Sequence, residues 1–214
     1  MDITWLGHSC FRLHDADMVV VTDPYPDSIG LRVDNRPASV VTVSNSHPNH
    51  SHSGSIEGDP KVFAAPGEYE YNGVTVRGVM TPLAEGQPRE ERSVAFTIEI
   101  GSINICHLGD ISVPLTTRLI DDLKPVDVVL VPTGGHCTLD VDQVYQILQD
   151  LDAKVVIPMH YKTDGVNVDV DPIDNFVRRM GLDAVQPQSR LVVTAANLGT
   201  DIRVVVMTNQ GRPR

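Results

Sequence analysis

Short apolar runs broken by turn residues fill the first half of this chain, and longer periodic segments appear only in the second half. Residues 3–6, 11–13 and 18–21 read as brief strands, joined by Gly7-His8-Ser9 and by the Asp15-Ala16-Asp17 turn. Residues 40–43, 62–64, 74–79, 94–98 and 103–106 continue the series, with Asn72-Gly73 and Gly101-Ser102 as hairpin turns. The period then changes. Residues 115–123 and 140–151 read as amphipathic helices, the second with Val141, Val144, Ile147, Leu148 and Leu151 at helical spacing. Residues 172–180 predict a third helix, with Pro172 suited to its first turn. Residues 126–131 and 154–157 are continuous apolar strands, and 191–194 and 202–207 close the chain. Continuous apolar strands need cover on both faces, so the pattern predicts two sheets packed together with helices outside. There is a faint internal echo: 40–43 leads into a loop with His47, and 128–131 leads into Gly134-Gly135-His136.

Composition narrows the picture. A chain of 214 residues suffices for one large domain or two small ones. No linker separates it, so a single domain over 1–214 is expected. The net charge of -11, from 28 acids against 17 bases, argues against binding nucleic acid through the whole surface, which needs a basic footprint. No apolar run approaches a membrane span, and the first residues lack the basic and apolar regions of a signal peptide. Cys10, Cys106 and Cys137 are odd in number and widely spaced, neither a disulfide framework nor a cysteine zinc site. The expected setting is the cytoplasm, away from membranes, with a small-molecule substrate. A homo-oligomer is left open.

The chemistry concentrates in histidines. His47, His50 and His52 fall within six residues just after the 40–43 strand, and His8, His107, His136 and His160 each follow another predicted strand. Strand ends converge on one rim of a sheet, so these loops can meet. Singly, each histidine reads more simply as a loop or core residue. The cluster beside the Gly109-Asp110 turn favours a metal site. There is no GxSxG elbow and no P-loop. Cys137 beside His136 suggests a thiol nucleophile, but neighbours on a loop usually point apart. The run Pro88-Arg89-Glu90-Glu91-Arg92 reads as a solvated loop that, if near the site, would meet an anionic substrate.

Trp5-Leu6-Gly7-His8-Ser9, Thr22-Asp23-Pro24, the His47/His50 cluster, His107-Leu108-Gly109-Asp110, Pro132-Thr133-Gly134-Gly135 and Ile157-Pro158-Met159-His160-Tyr161 occur in that order. This set resembles the metallo-β-lactamase superfamily, and within it the small metal-dependent hydrolases related to ascorbate-phosphate lactonases. The resemblance covers most of the chain and implies an α+β fold, a four-layer αββα sandwich. It is less specific for substrate, because such folds carry many chemistries.

Carried over by residue, the resemblance implies that the HxHxDH motif falls on Asn45, His47, Asn49 and His50, with two ligands changed to Asn. The bridging carboxylate would be Asp110 and the last histidine ligand His160. The remaining histidine of the first metal position falls at about Leu83, where this chain has none. The first position thus keeps only His47 and a share of Asp110. The second keeps His50, Asp110 and His160, enough for one divalent ion: zinc first, manganese or iron as alternatives, or no metal at all. Asn49 occupies the place of an Asp that orients and deprotonates water. Asn cannot act as a base at neutral pH, so that role passes to Asp110 or to the acidifying metal. His52 and His136 are the spare imidazoles that would compensate for a lost ligand, or else solvated loop residues. Asp23 would shape the histidine loop through hydrogen bonds or make the turn before Pro24. His8 would contact substrate at the rim or cap a turn, and Tyr161 would orient the site or pack. The implied function is hydrolysis of an ester, lactone or phosphodiester with one metal and an activated water. The alternative is a non-catalytic relative that keeps the fold for binding or assembly.

Overall fold

The computed structural model describes residues 1–89 and 92–213, so Glu90 and Glu91 of the expected solvated loop lie outside the described residues. In chain order the strands begin with β1 (Asp2–Gly7), β2 (Cys10–Asp15), β3 (Met18–Thr22), β4 (Leu31–Arg32), β5 (Val40–Thr42), β6 (Lys61–Phe63), β7 (Gly67–Tyr71) and β8 (Val74–Met80). They continue with β9 (Val94–Ile100), β10 (Ile103–His107), β11 (Val128–Pro132), β12 (Val155–Met159), β13 (Leu191–Val192), β14 (Arg203–Val204) and β15 (Arg212–Pro213). The helices are α1 (Pro48–Ser51), α2 (Thr117–Leu123), α3 (Val141–Leu151) and α4 (Asp174–Arg179).

Two mixed sheets result. The first runs β13-β1-β2-β3-β5-β6, antiparallel as far as β3 and parallel beyond it. The second runs β14-β12-β11-β10-β9-β8-β7, parallel from β14 to β10 and antiparallel thereafter. Side-chain alternation explains the layering. Ile3, Trp5, Phe11, Leu13, Val20 and Val40 point from the first sheet into the layer between the sheets. Val128, Leu130, Val155 and Ile157 meet them from the second, while Val129, Val131 and Val156 turn to its outer face. Strands β11 and β12 are therefore buried on both sides, as their unbroken apolar runs demand.

Ile120 and Leu123 of α2, the Val144, Ile147, Leu148 and Leu151 stripe of α3, and Phe176 of α4 cover that outer face. The α3 helix starts at a capping box in which Asp140 accepts from the Gln143 N–H and the Gln143 side chain accepts from the Asp140 N–H. The first sheet is covered differently. Leu6, Cys10, Val21 and Val41 pack against Tyr25, Ile29, Leu31 and Ile56 from loops and short turns.

The architecture is the expected α+β sandwich, with thin cover on one side. Strand β7 was not anticipated, although Gly-Glu-Tyr-Glu-Tyr alternates as an edge strand should. The expected strands at 191–194 and 202–207 shrink to two residues each at the outer edges of the sheets, with Met207 making an isolated bridge to Gln188. The two halves of the internal echo lie in opposite sheets, and the loops that follow them face one another across a cavity.

Candidate metal centre

Five strand ends meet at one edge of the sandwich. The turn after β1 brings His8, the loop after β5 brings Asn45 to His50, and the loop after β10 brings Asp110. The loop after β11 brings Cys137, and the end of β12 brings His160. Together they line a cavity of about 330 Å³.

Local sequence explains the convergence. Gly109 has φ +63°, and a Cβ there would lie 2.5 Å from Ser93 Oγ and 2.7 Å from Ser44 Cβ. Only glycine lets this turn lie against the end of β5, which carries Asp110 to the histidine loop. The Asp110 N–H then donates to Ser93 Oγ at 3.1 Å. His47 caps α1, its Nδ1 accepting from the Asn49 N–H, with Pro48 in the first turn. That turn aims His50 inward, where it is buried. The His160 N–H donates to the His8 carbonyl at 3.0 Å, tying β12 to the β1–β2 turn. His107 is buried and structural: its Nε2 holds the Ser9 carbonyl at 2.8 Å, and its Nδ1 accepts from the Gly109 N–H at 3.1 Å.

Asp23 sets the direction of His50. Its fully buried carboxylate accepts from the Ser44 N–H at 2.7 Å and the Ser44 hydroxyl at 2.5 Å, and meets His50 Nδ1 at 2.8 Å. An ionised carboxylate has no proton to give, so Nδ1 of His50 donates. The lone pair of Nε2 then points toward Asp110 Oδ2, 3.6 Å away. His160 Nε2 faces the other oxygen, Oδ1, at 3.5 Å. Asn45 Nδ2 donates to Oδ2 at 3.4 Å, and Cys137 Sγ lies 3.9 Å from Oδ1. Two donor groups overlap at His160: His8, His50 and His160, and Asp110, Cys137 and His160, with ligand atoms in each group within 4.8 Å of one another.

The electrostatics follow from burial and these carboxylates. Burial opposes a charge on His50, but Asp110 and Asp23 outweigh it and raise its pKa. Burial dominates at His8 and His160 and lowers both, with neighbouring imidazoles adding to the effect. The Asp23 carboxyl is pushed up by burial, but His107, His50 and Ser44 outweigh this and hold it below its usual value. Burial and the nearby Asp110 charge push the Cys137 thiol up to about 12.

A divalent ion suits these residues. Two imidazoles face the two oxygens of one carboxylate, and a thiol lies beside it. Imidazole, carboxylate and thiol are the donors that zinc and its neighbours take.

The expected residues fall into three groups. His50, Asp110 and His160 come together at the centre. His47, Asn45 and Asn49 also line the cavity: the His47 ring is 6.4 Å from that of His50, and Asn45 is spent on Asp110 and on the His47 N–H. The third group lies elsewhere. His52 is exposed and does not line the cavity, its N–H donating to the Pro24 carbonyl. His136 is exposed and turns toward Asp169 and Asp171, away from the centre. Neither stands in for a lost ligand, because each loop directs its ring outward. Tyr161 is core, its ring 5.0 Å from Trp5.

His8, expected as a rim contact or a turn cap, sits in the turn after β1. It is buried in the cavity lining, its ring 4.2 Å from that of His160 and 4.8 Å from that of His50. After β8 the residue that lines the cavity is Gln87, not Leu83. Cys137 was visible only as the neighbour of His136. The two do point apart, and it is the cysteine that faces the centre.

The Beta-lactamase superfamily domain matches residues 2–160. A UPF0173 metal-dependent hydrolase of Carboxydothermus hydrogenoformans is 27% identical over 197 residues, covering 76% of this chain and 85% of the relative. Among solved structures, a proposed Zn-dependent hydrolase of the metallo-β-lactamase superfamily from Thermotoga maritima is 34% identical, with TM-score 0.79 over 96% of this chain and 97% of that one. The metallo hydrolase Igni18 of Ignicoccus hospitalis, 18% identical with TM-score 0.65 over 96% of this chain and 94% of that one, shares the fold. Site geometry, matched domain and these relatives agree: the chain belongs to the metallo-β-lactamase superfamily, among its metal-dependent hydrolases.

Proposed function

We propose that this protein hydrolyses an ester, lactone or phosphodiester through a single divalent ion held by His50, Asp110 and His160. The observation that carries the reading is the pair of imidazoles facing the two Asp110 oxygens at 3.6 and 3.5 Å. When bound, such an ion acidifies a water and polarises the scissile carbonyl or phosphoryl oxygen. The chain's own residues do the rest. Asp23 keeps His50 in the tautomer that offers Nε2. Asp110, at the centre of the cavity, takes the proton of the attacking water. Asn49 orients by hydrogen bonding and takes no proton. Arg89 and Arg92 line an adjoining cavity of about 590 Å³ that shares Asn45, which suits a substrate carrying an anionic group. The three free cysteines fit a reducing compartment, the cytoplasm.

The competing reading keeps the fold for binding or assembly. It is favoured by Asn45, whose amide is already engaged by Asp110 and His47 where the family pattern has a ligand. Metal analysis of protein purified without chelator or added metal separates the two. One equivalent of a divalent ion per chain is expected. No metal, and none taken up on titration, sinks the catalytic reading.

Restoring the motif gives a second test. Asn45→His with Asn49→Asp adds an imidazole and a carboxylate, and should raise zinc or manganese affinity. The larger gain is expected at the His50–His160 position, because no histidine follows β8. Hydrolysis of generic phosphodiesters and lactones should rise with it. Equal affinities by calorimetry would mean that these asparagines do not occupy ligand positions.

A further inference from the structure

Cys137 has a place in this site that the family pattern does not give it. In that pattern the second metal position has four protein donors, two of them carboxylates. Here Asn49 removes one carboxylate and one negative charge, leaving His50, Asp110 and His160. Cys137 lies on the loop after β11 with Sγ 3.9 Å from Asp110 Oδ1, and forms a convergent group with Asp110 and His160. His160 Nε2 is 3.5 Å from the same Oδ1. Donors around tetrahedral zinc sit about 3.3–3.7 Å apart, from bonds of ~2.0–2.1 Å to nitrogen or oxygen and ~2.3 Å to sulfur. The Asp110–His160 and Asp110–Cys137 separations thus need to close by only a few tenths of an ångström, whereas His50, which converges with His8 and His160 and faces the other Asp110 oxygen, has to swing further to join the same ion.

We propose that Cys137 is a fourth protein donor to this ion, a thiolate replacing the carboxylate lost at Asn49, and that it makes the site selective for zinc. This rests on the single-metal reading above. The charge balance returns to that of the family site: one carboxylate and one thiolate instead of two carboxylates. His8 approaches the same rings, but an imidazole ligand brings no negative charge and cannot supply the one that is missing. On binding, the Cys137 S–H bond breaks, a sulfur–metal bond forms and the proton leaves to solvent. A thiolate favours zinc and other borderline or soft ions over manganese and magnesium, which prefer oxygen.

Cobalt(II) titration of the whole, metal-free protein is the test, because its spectrum reports ligands independently of activity. The expected spectrum has visible d–d bands of a bound ion and an intense near-ultraviolet thiolate-to-cobalt band. Cys137→Ser should abolish the near-ultraviolet band and keep the visible ones. It should weaken zinc binding by at least about 100-fold, more than the loss of an outer hydrogen bond costs, while manganese affinity changes less than about tenfold. Cys10 and Cys106 are fully buried, so Ellman's reagent should find one accessible thiol in the folded apoprotein, and one equivalent of zinc should slow its reaction more than about tenfold. Adding Asn49→Asp to the serine variant should recover part of the lost affinity. Visible bands without the near-ultraviolet band in the parent protein would overturn the cysteine assignment and leave the single-metal reading standing. The absence of any cobalt spectrum would overturn both.

Discussion

Asp110→Asn should cost this protein its metal while leaving its fold intact. Both His50 Nε2 and His160 Nε2 face the Asp110 carboxylate, and Asn45 and Cys137 approach it as well. The amide has the same shape but no charge, and it puts an N–H₂ donor where a ligand oxygen stood. The metal affinity should fall at least about 100-fold, beyond the 10–100-fold that follows loss of an outer contact. By the usual conversion this is about 3 kcal/mol of binding free energy. Hydrolysis should fall with it. The side chain is partly open to solvent and its backbone N–H bond to Ser93 is unaffected, so the apoprotein's stability should change by no more than about 1 kcal/mol. Calorimetric titration with zinc and a thermal melt of the apoprotein measure the two effects. Unchanged zinc affinity would remove Asp110 from the site.

Asp23→Asn should act in the opposite order, on the fold first. Asp23 is fully buried and its carboxylate takes the Ser44 N–H, the Ser44 hydroxyl and His50 Nδ1. The asparagine leaves one of these donors facing another donor, and breaking a buried charged pair costs roughly 3–5 kcal/mol. With the shape kept, about 3 kcal/mol of lost stability is expected. Freed from Asp23, His50 also loses its fixed tautomer, and metal affinity should drop roughly 10–100-fold.

The pH dependence identifies the cause. Burial pushes the Asp23 carboxyl up, but His107, His50 and Ser44 outweigh it and hold its pKa below the usual value. A depressed carboxyl stabilises the fold above its unfolded pKa and loses that contribution as pH falls through the folded one. The stability gap between wild type and variant should therefore be full at neutral pH and shrink below the ordinary carboxylate range. A gap that stays constant in acid would point to packing instead.

Much of this protein is legible before its structure. The period-2 runs of the first half and the helical stripe of 140–151 give two sheets and an outer helix, because buried faces impose those spacings on any chain. The order of motifs likewise brings His50, Asp110 and His160 forward as one set. What spacing cannot supply is the direction of a loop side chain. His8, His136 and His160 all have positive φ, at +51°, +56° and +54°, yet His8 and His160 turn inward and His136 outward. The difference comes from partners distant in sequence: the His8 carbonyl that receives the His160 N–H, and the Asp169 and Asp171 carboxylates that draw His136 away.

The same holds for Gln87 and Cys137, which reach the cavity because β8 and β11 end at its edge, not because any local pattern marks them. The sequence by itself determined the layers, which are written in local periodicity, and through the resemblance its motifs carry it named the candidate ligands. Only the tertiary structure decided that Cys137 and His8 face the centre while His52 and His136 do not, because side-chain direction in a loop is set by contacts across the fold.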